Sequence, residues 1–402
     1  MKVIYLSMMF ADVESDIKNS KSPNSVSGHK FQENILKGLE ENDCSLSVIN
    51  IPRIRYYPDY PKIIFRSKQS VWGRKTNGVN IGFVNLPILN YLSQTINGYR
   101  AVMREMKKDK NEQYVLFTFN SNPHTIFTML MTRALHKNVT LCNIVGDLHG
   151  SYGITNRSSG LRGVLIRWFE SIQDRLGRKF DSFVFLTEPM AEAMGVEHKP
   201  YCVMECLYAF DQVNMQPMSE KEIEEKIIFY AGSLCKEYGI LHLLQAFSQI
   251  KNPSFRLRIA GKGDGDELVR QFAEKDERIS FLGFISPSEV EKNQQAATVL
   301  VNPRTSDHEF VKYSFPSKTM ECLASGKPYI AHRLPCNPPE YGNHIQYAAG
   351  ESDEALRDKI VEICELSDSE RAAIGKNAQR FIAEEKNPKV MCKRVVDLWS
   401  SL

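Results

Sequence analysis

The chain has 402 residues, long for a single core, and two domains of about 200 residues each is the natural division. Apolar residues make up 42% and charged residues 25%, with 51 basic side chains against 48 acidic ones, which excludes intrinsic disorder and a globally polycationic nucleic-acid binder. The nine cysteines are odd in number, scattered and without a Cys-x-x-Cys pair, so they support neither a disulfide framework nor a zinc site and suit a reducing cytosol.

The N-terminal "MKVIYLSMMFADVESD" has too short an apolar run before Asp12 and Glu14 to be a secretion signal, and it reads as a first β-strand. Short apolar runs follow at "LSVINI", "YVLFTF", "TLCNIVG" and "SFVFLT", each trailed by a polar or helical segment, the pattern of buried parallel strands in an α/β domain. Nowhere does an uninterrupted apolar stretch approach the length of a membrane span. Residues 53–75 stand apart, with seven Lys or Arg and one Asp among Tyr56, Tyr57, Tyr60, Phe65 and Trp72. Basic residues mixed with interfacial aromatics suit an anionic membrane surface or a lipid-linked acceptor, and Arg53, Arg55, Arg66, Lys68 and Trp72 are the candidates, joined by Arg162 and Arg167 of "GLRGVLIRWFESIQDRLGRKF". Single-stranded nucleic acid uses similar surfaces, and an exposed loop without a ligand has the same composition.

A polar stretch at residues 208–226 reads as a linker. Beyond it the alternation is clearer, in "KIIFYAG", "FRLRIAG", "ISFLGF", "TVLVNP" and "KPYIAH", which predicts a second doubly wound sheet. In such a sheet the residues just after each strand converge on one crevice. They are Gly232 and Ser233, with Lys236 beyond; Gly261 and Gly263 in a G-x-G-x-G run whose spacing is not that of a dinucleotide fingerprint; Phe284 and Ile285, whose backbone groups suit a base edge; and Arg304. Next comes "YSFPSKTMECLASGKP", residues 313–328. Pro316 suits a first helical position and Gly326 the left-handed residue past the end, which predicts a helix over roughly 316–325. Its open amides with Ser317 and Lys318 form an anion site, while Glu321 lies one turn along the same face. Phosphate at one end and hydroxyls at the next turn describe a nucleoside diphosphate, although the same residues also suit an ordinary helix with a solvated Lys–Glu face. Ser286-Pro287-Ser288-Glu289 and Ser367 with Glu370 sign two further helix starts. Asn387-Pro388 opens a last one whose apolar stripe, Val390 to Trp399, needs a surface to cover.

Taken in order, "IIFYAGSLCKEYGILHLLQAF", "LRIAGKGDGDEL", "ISFLGFISPSEV", "VLVNPR" and "FPSKTMECLASGKPYIA" resemble the donor half of glycosyltransferase family 4, the retaining enzymes of the GT-B fold; the first half of the chain resembles it only loosely. The resemblance implies two Rossmann-like doubly wound domains facing a central cleft: residues 1–210 binding the acceptor, 211–385 binding the nucleotide-sugar donor, and a helix within 386–402 crossing back to the first domain. The implied activity is that of a hexosyltransferase-type enzyme using a nucleotide sugar, in this family often UDP-linked, with a glycan or lipid-linked hydroxyl as acceptor in surface polysaccharide biosynthesis. A cytoplasmic, membrane-peripheral location is expected, with no nucleic-acid partner, no cofactor and no metal.

Carried over by position, the resemblance makes Glu321 the carboxylate for the ribose hydroxyls and places Tyr313, Ser314, Phe315, Pro316, Ser317 and Lys318 around the pyrophosphate. The family's other glutamate falls on Tyr313, with Glu309 nearby, and the cation pair of its first donor loop falls on Ser233 and Tyr238. Lys236 and Lys318 are the inferred substitutes, and with Asp147 they make up the expected catalytic set. Asp147 would orient the acceptor or stabilise charge on the sugar, and a loop aspartate capping a backbone N–H looks the same in sequence. These departures keep two alternatives open: a nucleotide-sugar epimerase of the same fold, or a non-catalytic glycosyltransferase-like binding partner.

Overall fold

The computed structural model describes residues 1–19, 27–109, 111–148, 170–210 and 225–402. Arg162 and Arg167 lie outside the described residues, as does most of the predicted linker. By its contacts the chain divides into two units, Met1–Leu207 together with Pro388–Leu402, and Tyr208–Asn387.

The strands of the first unit are β1 (Lys2–Ser7), β2 (Ser45–Asn50), β3 (Ile64–Phe65), β4 (Lys68–Trp72), β5 (Thr76–Asn80), β6 (Phe83–Val84), β7 (Tyr114–Phe119), β8 (Val139–Val145), β9 (Ser182–Phe185) and β10 (Tyr201–Val203). Eight form one sheet in the order β10-β9-β8-β7-β1-β2-β5-β4. Only the edge pair β4–β5 is antiparallel. Every predicted strand of this half is present, because a parallel sheet is covered on both faces and its strands read as unbroken apolar runs; Tyr5, Leu6, Phe117, Leu141 and Phe183 are all fully buried.

The stretch 53–75 corrects an expectation. It carries β3 and β4, and pairing of β4 with β5 brings Trp72 onto Gly78, where a Cβ would lie 2.7 Å from the indole. Trp72 is therefore buried in the core of the unit and cannot serve as an interfacial aromatic. Arg55, Arg66 and Lys68 are exposed and Arg53 is half-buried.

The C-terminal helix Pro388–Ser400 completes that core. Met391, Cys392, Val395 and Trp399 are buried, while Val390, placed in the stripe by its sequence, is 38% exposed. The helix lies so close to Ser27–Glu41 that a Cβ on Gly38 would be 2.3 Å from the Pro388 carbonyl oxygen and 2.5 Å from the Cys392 Sγ. Asn42 ties the pair by donating from Nδ2 to the Lys389 carbonyl at 2.8 Å.

The second unit has β11 (Lys226–Ser233), β12 (Phe255–Lys262), β13 (Ile279–Gly283), β14 (Val299–Asn302), β15 (Tyr329–Ala331) and β16 (Gln346–Tyr347), ordered β13-β12-β11-β14-β15-β16 and parallel throughout. This is the order of a dinucleotide-binding sheet, with its reversal between β11 and β14. The strand β16 was not legible, being two residues long. The capping boxes at Ser286–Glu289 and Ser367–Glu370 are formed as the sequence predicts.

Two predictions follow from the packing of the first unit. Ala is normally the better helix former, but Gly38→Ala is expected to lower stability by about 1–3 kcal/mol in urea unfolding, because the methyl has no room beside Pro388. His124 is 3% exposed, and burial with no hydrogen-bond partner pushes its imidazole down from 6.5 to about 3. The depressed value means that its neutral form contributes fully above the unfolded value of about 6.5, and that stability falls by a few kcal/mol as pH drops from there toward about 3. His124→Leu should flatten that part of the stability–pH curve.

Candidate functional site

The reversal of strand order leaves an opening above the carboxyl ends of β11 and β14, where flanking crossovers depart in opposite directions. A cavity of about 290 Å³ occupies it. One wall is the end of β11, Ala231 to Ser233, and the floor includes Tyr230, Leu300, Val301 and Asn302. The other wall is the segment Ser314–Lys318, with Cys322 one turn further and Tyr238 and Arg304 at the flank.

Glycines set the first wall. Gly232 and Gly261 are register partners on adjacent strands, and a Cβ on Gly261, at φ +151°, would be 1.9 Å from the Gly232 carbonyl oxygen. Gly263 also packs on backbone, where a Cβ would lie 2.5 Å from the Leu234 carbonyl carbon. The G-x-G-x-G run thus holds the β11 loop from behind and does not itself line the cavity. Beyond it the Lys236 N–H donates to Asp264 Oδ1 at 3.0 Å, which fixes the 3₁₀ turn Lys236–Tyr238, while the exposed Lys236 side chain lies outside the lining.

Arg304 is the cation the fold puts at this wall. It is 6% exposed, its guanidinium carbon lies 5.0 Å from the Tyr238 ring centroid and 4.9 Å from that of Phe310, and Nη1 donates to the Ser314 carbonyl at 3.4 Å. An arginine between two aromatic faces keeps its charge while losing much of its water. The position where the sequence resemblance lacked a cation, Tyr238, instead carries the ring on which this cation rests. Nearby, Tyr230 donates from its hydroxyl to the Ser233 carbonyl at 2.8 Å; burial raises its pKa, as burial raises that of Cys322 to about 12, so both face the cavity as neutral groups.

The second wall departs from expectation at the start of its helix and at Glu321. The helix runs from Lys318 to Ala324, two residues later than predicted, since Pro316 and Ser317 form a preceding turn and Ser317 makes no side-chain cap. Gly326 takes the predicted left-handed conformation, φ +77°. Lys318 lines the cavity, and its Nζ is 2.5 Å from Glu321 Oε2. Glu321 is half-exposed and stands outside the lining.

Of the residues nominated from sequence, Gly232, Ser233, Arg304, Ser314, Phe315, Pro316, Ser317 and Lys318 converge on the cavity. Phe284 and Ile285 are at the far edge strand, Phe284 almost fully exposed, and Tyr313 closes a separate 3₁₀ turn. Asn302, Tyr230 and Cys322 were missed; the signal for Asn302 was its place as the last residue of a strand beside the reversal.

In the first unit the equivalent reversal is between β1 and β7. Asn120, at φ +50°, accepts from the N–H groups of Gly146 and Asp147 at 2.6 and 3.2 Å, and its Nδ2 donates to Asp147 Oδ2 at 3.2 Å. Burial pulls the Arg53 guanidinium below its ordinary value, and the Asp147 charge works in the opposite sense. Asp147 is thus held by a specific partner that the sequence did not point to.

Among the described residues one trio, Cys235, Glu237 and Asp264, offers ligand atoms within 4.8 Å of one another, although one Asp264 oxygen is already engaged by Lys236. No helix among the described residues is long and apolar enough to cross a membrane.

Residues 213–381 match the family model described as Glycosyl transferases group 1. The α-monoglucosyldiacylglycerol synthase of Streptococcus pneumoniae is 29% identical over 116 residues, which is 28% of this chain and 25% of that protein. The chain therefore matches only about a quarter of the length of this curated relative. Among solved structures, sucrose-phosphate synthase from Thermosynechococcus elongatus aligns over 100% of this chain and 99% of its own, at 15% identity and a TM-score of 0.61. Anabaena Alr3699/HepE in complex with UDP aligns over the whole of both chains, at 13% identity and a TM-score of 0.59. The fold is accordingly α/β of the GT-B type, with two Rossmann-like, largely parallel sheets.

The glycine packing is directly testable. Gly261→Ala should cost at least about 2 kcal/mol, read as a lower unfolding midpoint, because both the backbone angle and the Gly232 carbonyl exclude the methyl.

Proposed function

We propose that the protein is a retaining glycosyltransferase that moves a sugar from a nucleotide-sugar donor, UDP-linked, to a hydroxyl of a glycan or lipid-linked acceptor in surface polysaccharide biosynthesis. The observation that carries this reading is the cavity at the β11–β14 reversal, with strand-end backbone on one side, Ser314–Lys318 on the other, and the cations Arg304 and Lys318 at its walls. A site of 290 Å³ lined by backbone groups and two cations suits a pyrophosphate better than a neutral metabolite. That the Anabaena structure holds UDP, and that the streptococcal relative is named for a glucosylated diacylglycerol product, both support it.

Retaining transfer of the front-face kind needs the protein chiefly to stabilise the departing diphosphate while the acceptor hydroxyl arrives on the same side. Preorganised cations in a water-poor site do this well, and losing one such donor costs on the order of 100-fold in rate. Lys318 is the residue that changes partners. In the free protein its ammonium is neutralised by Glu321; an arriving pyrophosphate competes for it and leaves the carboxylate open to accept from the ribose hydroxyls. Arg304 adds a second positive charge that needs no rearrangement, since the Tyr238 and Phe310 rings fix it. Asp147, held by Asn120, is proposed to orient the acceptor hydroxyl. Lys236, exposed and outside the lining, would act only on a phosphate reaching beyond the cavity. All nine cysteines are free thiols, in keeping with a cytoplasmic site of action.

The test is a panel of nucleotide sugars offered without acceptor, with UDP binding followed by calorimetry. Slow sugar release from one donor is the expected result; isomerisation would replace the reading by an epimerase, and silence with no nucleotide binding would replace it by a non-catalytic relative. Lys318→Ala should lower turnover about 100-fold. Glu321→Ala should weaken UDP binding severely, and an unchanged affinity would remove the ribose assignment.

A further inference from the structure

Twelve of the eighteen large apolar side chains that are exposed among the described residues fall in one region of the first unit. Helix Leu89–Met106 turns Asn90, Gln94, Gly98 and Val102 inward, and leaves Leu89, Leu92 and Ile96 exposed on its outer face. Helix Pro123–Leu135 does the same: His124, Thr128 and Thr132 are buried, while Phe127, Met131 and Leu135, spaced by four, are exposed. The two helices pack on each other. A Cβ on Gly98 would sit 3.2 Å from the Thr128 Oγ1, and that hydroxyl donates to the Thr95 carbonyl at 3.2 Å. With the seam at Gly98 and Thr128, helical spacing puts both outer stripes side by side on the face away from the sheet.

The neighbouring loops extend this face. The Asn85 N–H donates to the Ile63 carbonyl at 2.6 Å and the Tyr56 and Tyr91 hydroxyls are 2.5 Å apart, which sets the exposed Ile63 and Ile64 beside the start of the first helix. Ile88, immediately before that helix, is 74% exposed with φ +66°, a backbone angle that a β-branched residue seldom adopts. A monomeric soluble domain rarely leaves so much aliphatic surface contiguous and uncovered.

Charge identifies what covers it. No acidic residue occurs from Pro61 through Arg104 or from Gln113 through Gly146, while the same segments hold nine Lys or Arg. Lys62, Arg66, Arg100, Arg104 and Lys137 are exposed around the apolar face. The acids that meet these segments among the described residues are engaged: Glu40 accepts from the backbone N–H groups of Arg74, Lys75 and Thr76, Asp181 accepts from the Leu141 N–H and lies 3.6 Å from Arg133, Asp147 accepts from Asn120, and Glu105, at the end of the first helix, pairs with Lys108. A second copy of the chain on this face would set cation against cation. Single-stranded nucleic acid would call for stacking aromatics, where the stripes are mostly Leu, Ile and Met. Aliphatic side chains ringed by cations fit the boundary between acyl chains and anionic headgroups.

We propose that the outer face of helices 89–106 and 123–135 docks the protein on an anionic lipid bilayer. This is independent of the donor chemistry, since an inactive protein would still bind and a failure to bind would leave the cavity of the second unit as it is. The full-length protein would be sedimented with phosphatidylcholine vesicles with and without phosphatidylglycerol. Binding is expected to the anionic vesicles, weaker by on the order of tenfold without the anionic lipid or at high salt. The double variants Leu92→Glu with Ile96→Glu, and Phe127→Glu with Met131→Glu, change exposed positions only. Each should bind about tenfold or more weakly with unaltered circular dichroism, while Val390→Glu, exposed on another helix, should bind as the parent does. No sedimentation of the parent, equal binding by the double variants, or equal loss in the Val390 variant would overturn the proposal. So would a parent dimer in solution that the double variants dissociate, which would make the face a contact between copies of the chain.

Discussion

The contact between the Gly232 carbonyl and Gly261 is the constraint on which the second unit's site depends. Adjacent parallel strands bring these residues level, and with no side chain on either the β11 loop can lie flat on the β12 turn. The same closeness recurs at Gly263 against Leu234 and at Gly239 against the Pro303 carbonyl, so three loops are held by backbone packing. A cavity whose wall is made of backbone held by backbone is rigid before any ligand arrives, and preorganisation is what electrostatic stabilisation of a leaving group requires.

The charge of the site is arranged around that rigid wall in two ways. Arg304 is held by rings and a carbonyl, and is fixed. Lys318 is held by a half-exposed carboxylate one helical turn away, a pairing that water and salt weaken and a phosphate can displace. One cation defines the site and the other responds to what enters it.

Much of this was legible in the sequence where burial is two-sided. The runs "KIIFYAG" and "TVLVNP" read as strands because both faces of a parallel sheet are covered, whereas their meeting at the reversal is a matter of spatial order, which the alternation does not encode. The short helix was placed correctly at its end, where Gly326 takes the left-handed angle, but not at its start, which falls at Lys318 with Ser317 as the residue flanking it. Trp72 was misread because its burial depends on a hairpin and on Gly78 across it, contacts that composition does not encode. Arg304 was found as a strand-end residue, yet its role as the cation missing at Tyr238 depends on Phe310 arriving from a separate turn. In the helix 123–135 the side chains themselves do not mark the covered face. Phe127 and Met131 on one side and Ile126 and Met129 on the other make it apolar nearly all round, and no periodicity tells which side is covered.

The helix Pro388–Ser400 gives the first unit part of its core from beyond the second unit's stretch of the chain. On the ribosome, therefore, the unit that begins synthesis first is completed last. Residues Tyr208–Asn387 can reach their final form while the strands made before them still wait for the side chains of Met391 and Trp399. A message truncated before that helix would yield a folded second half tethered to an unfinished, sticky first half, the kind of product that chaperones and proteases are set to remove.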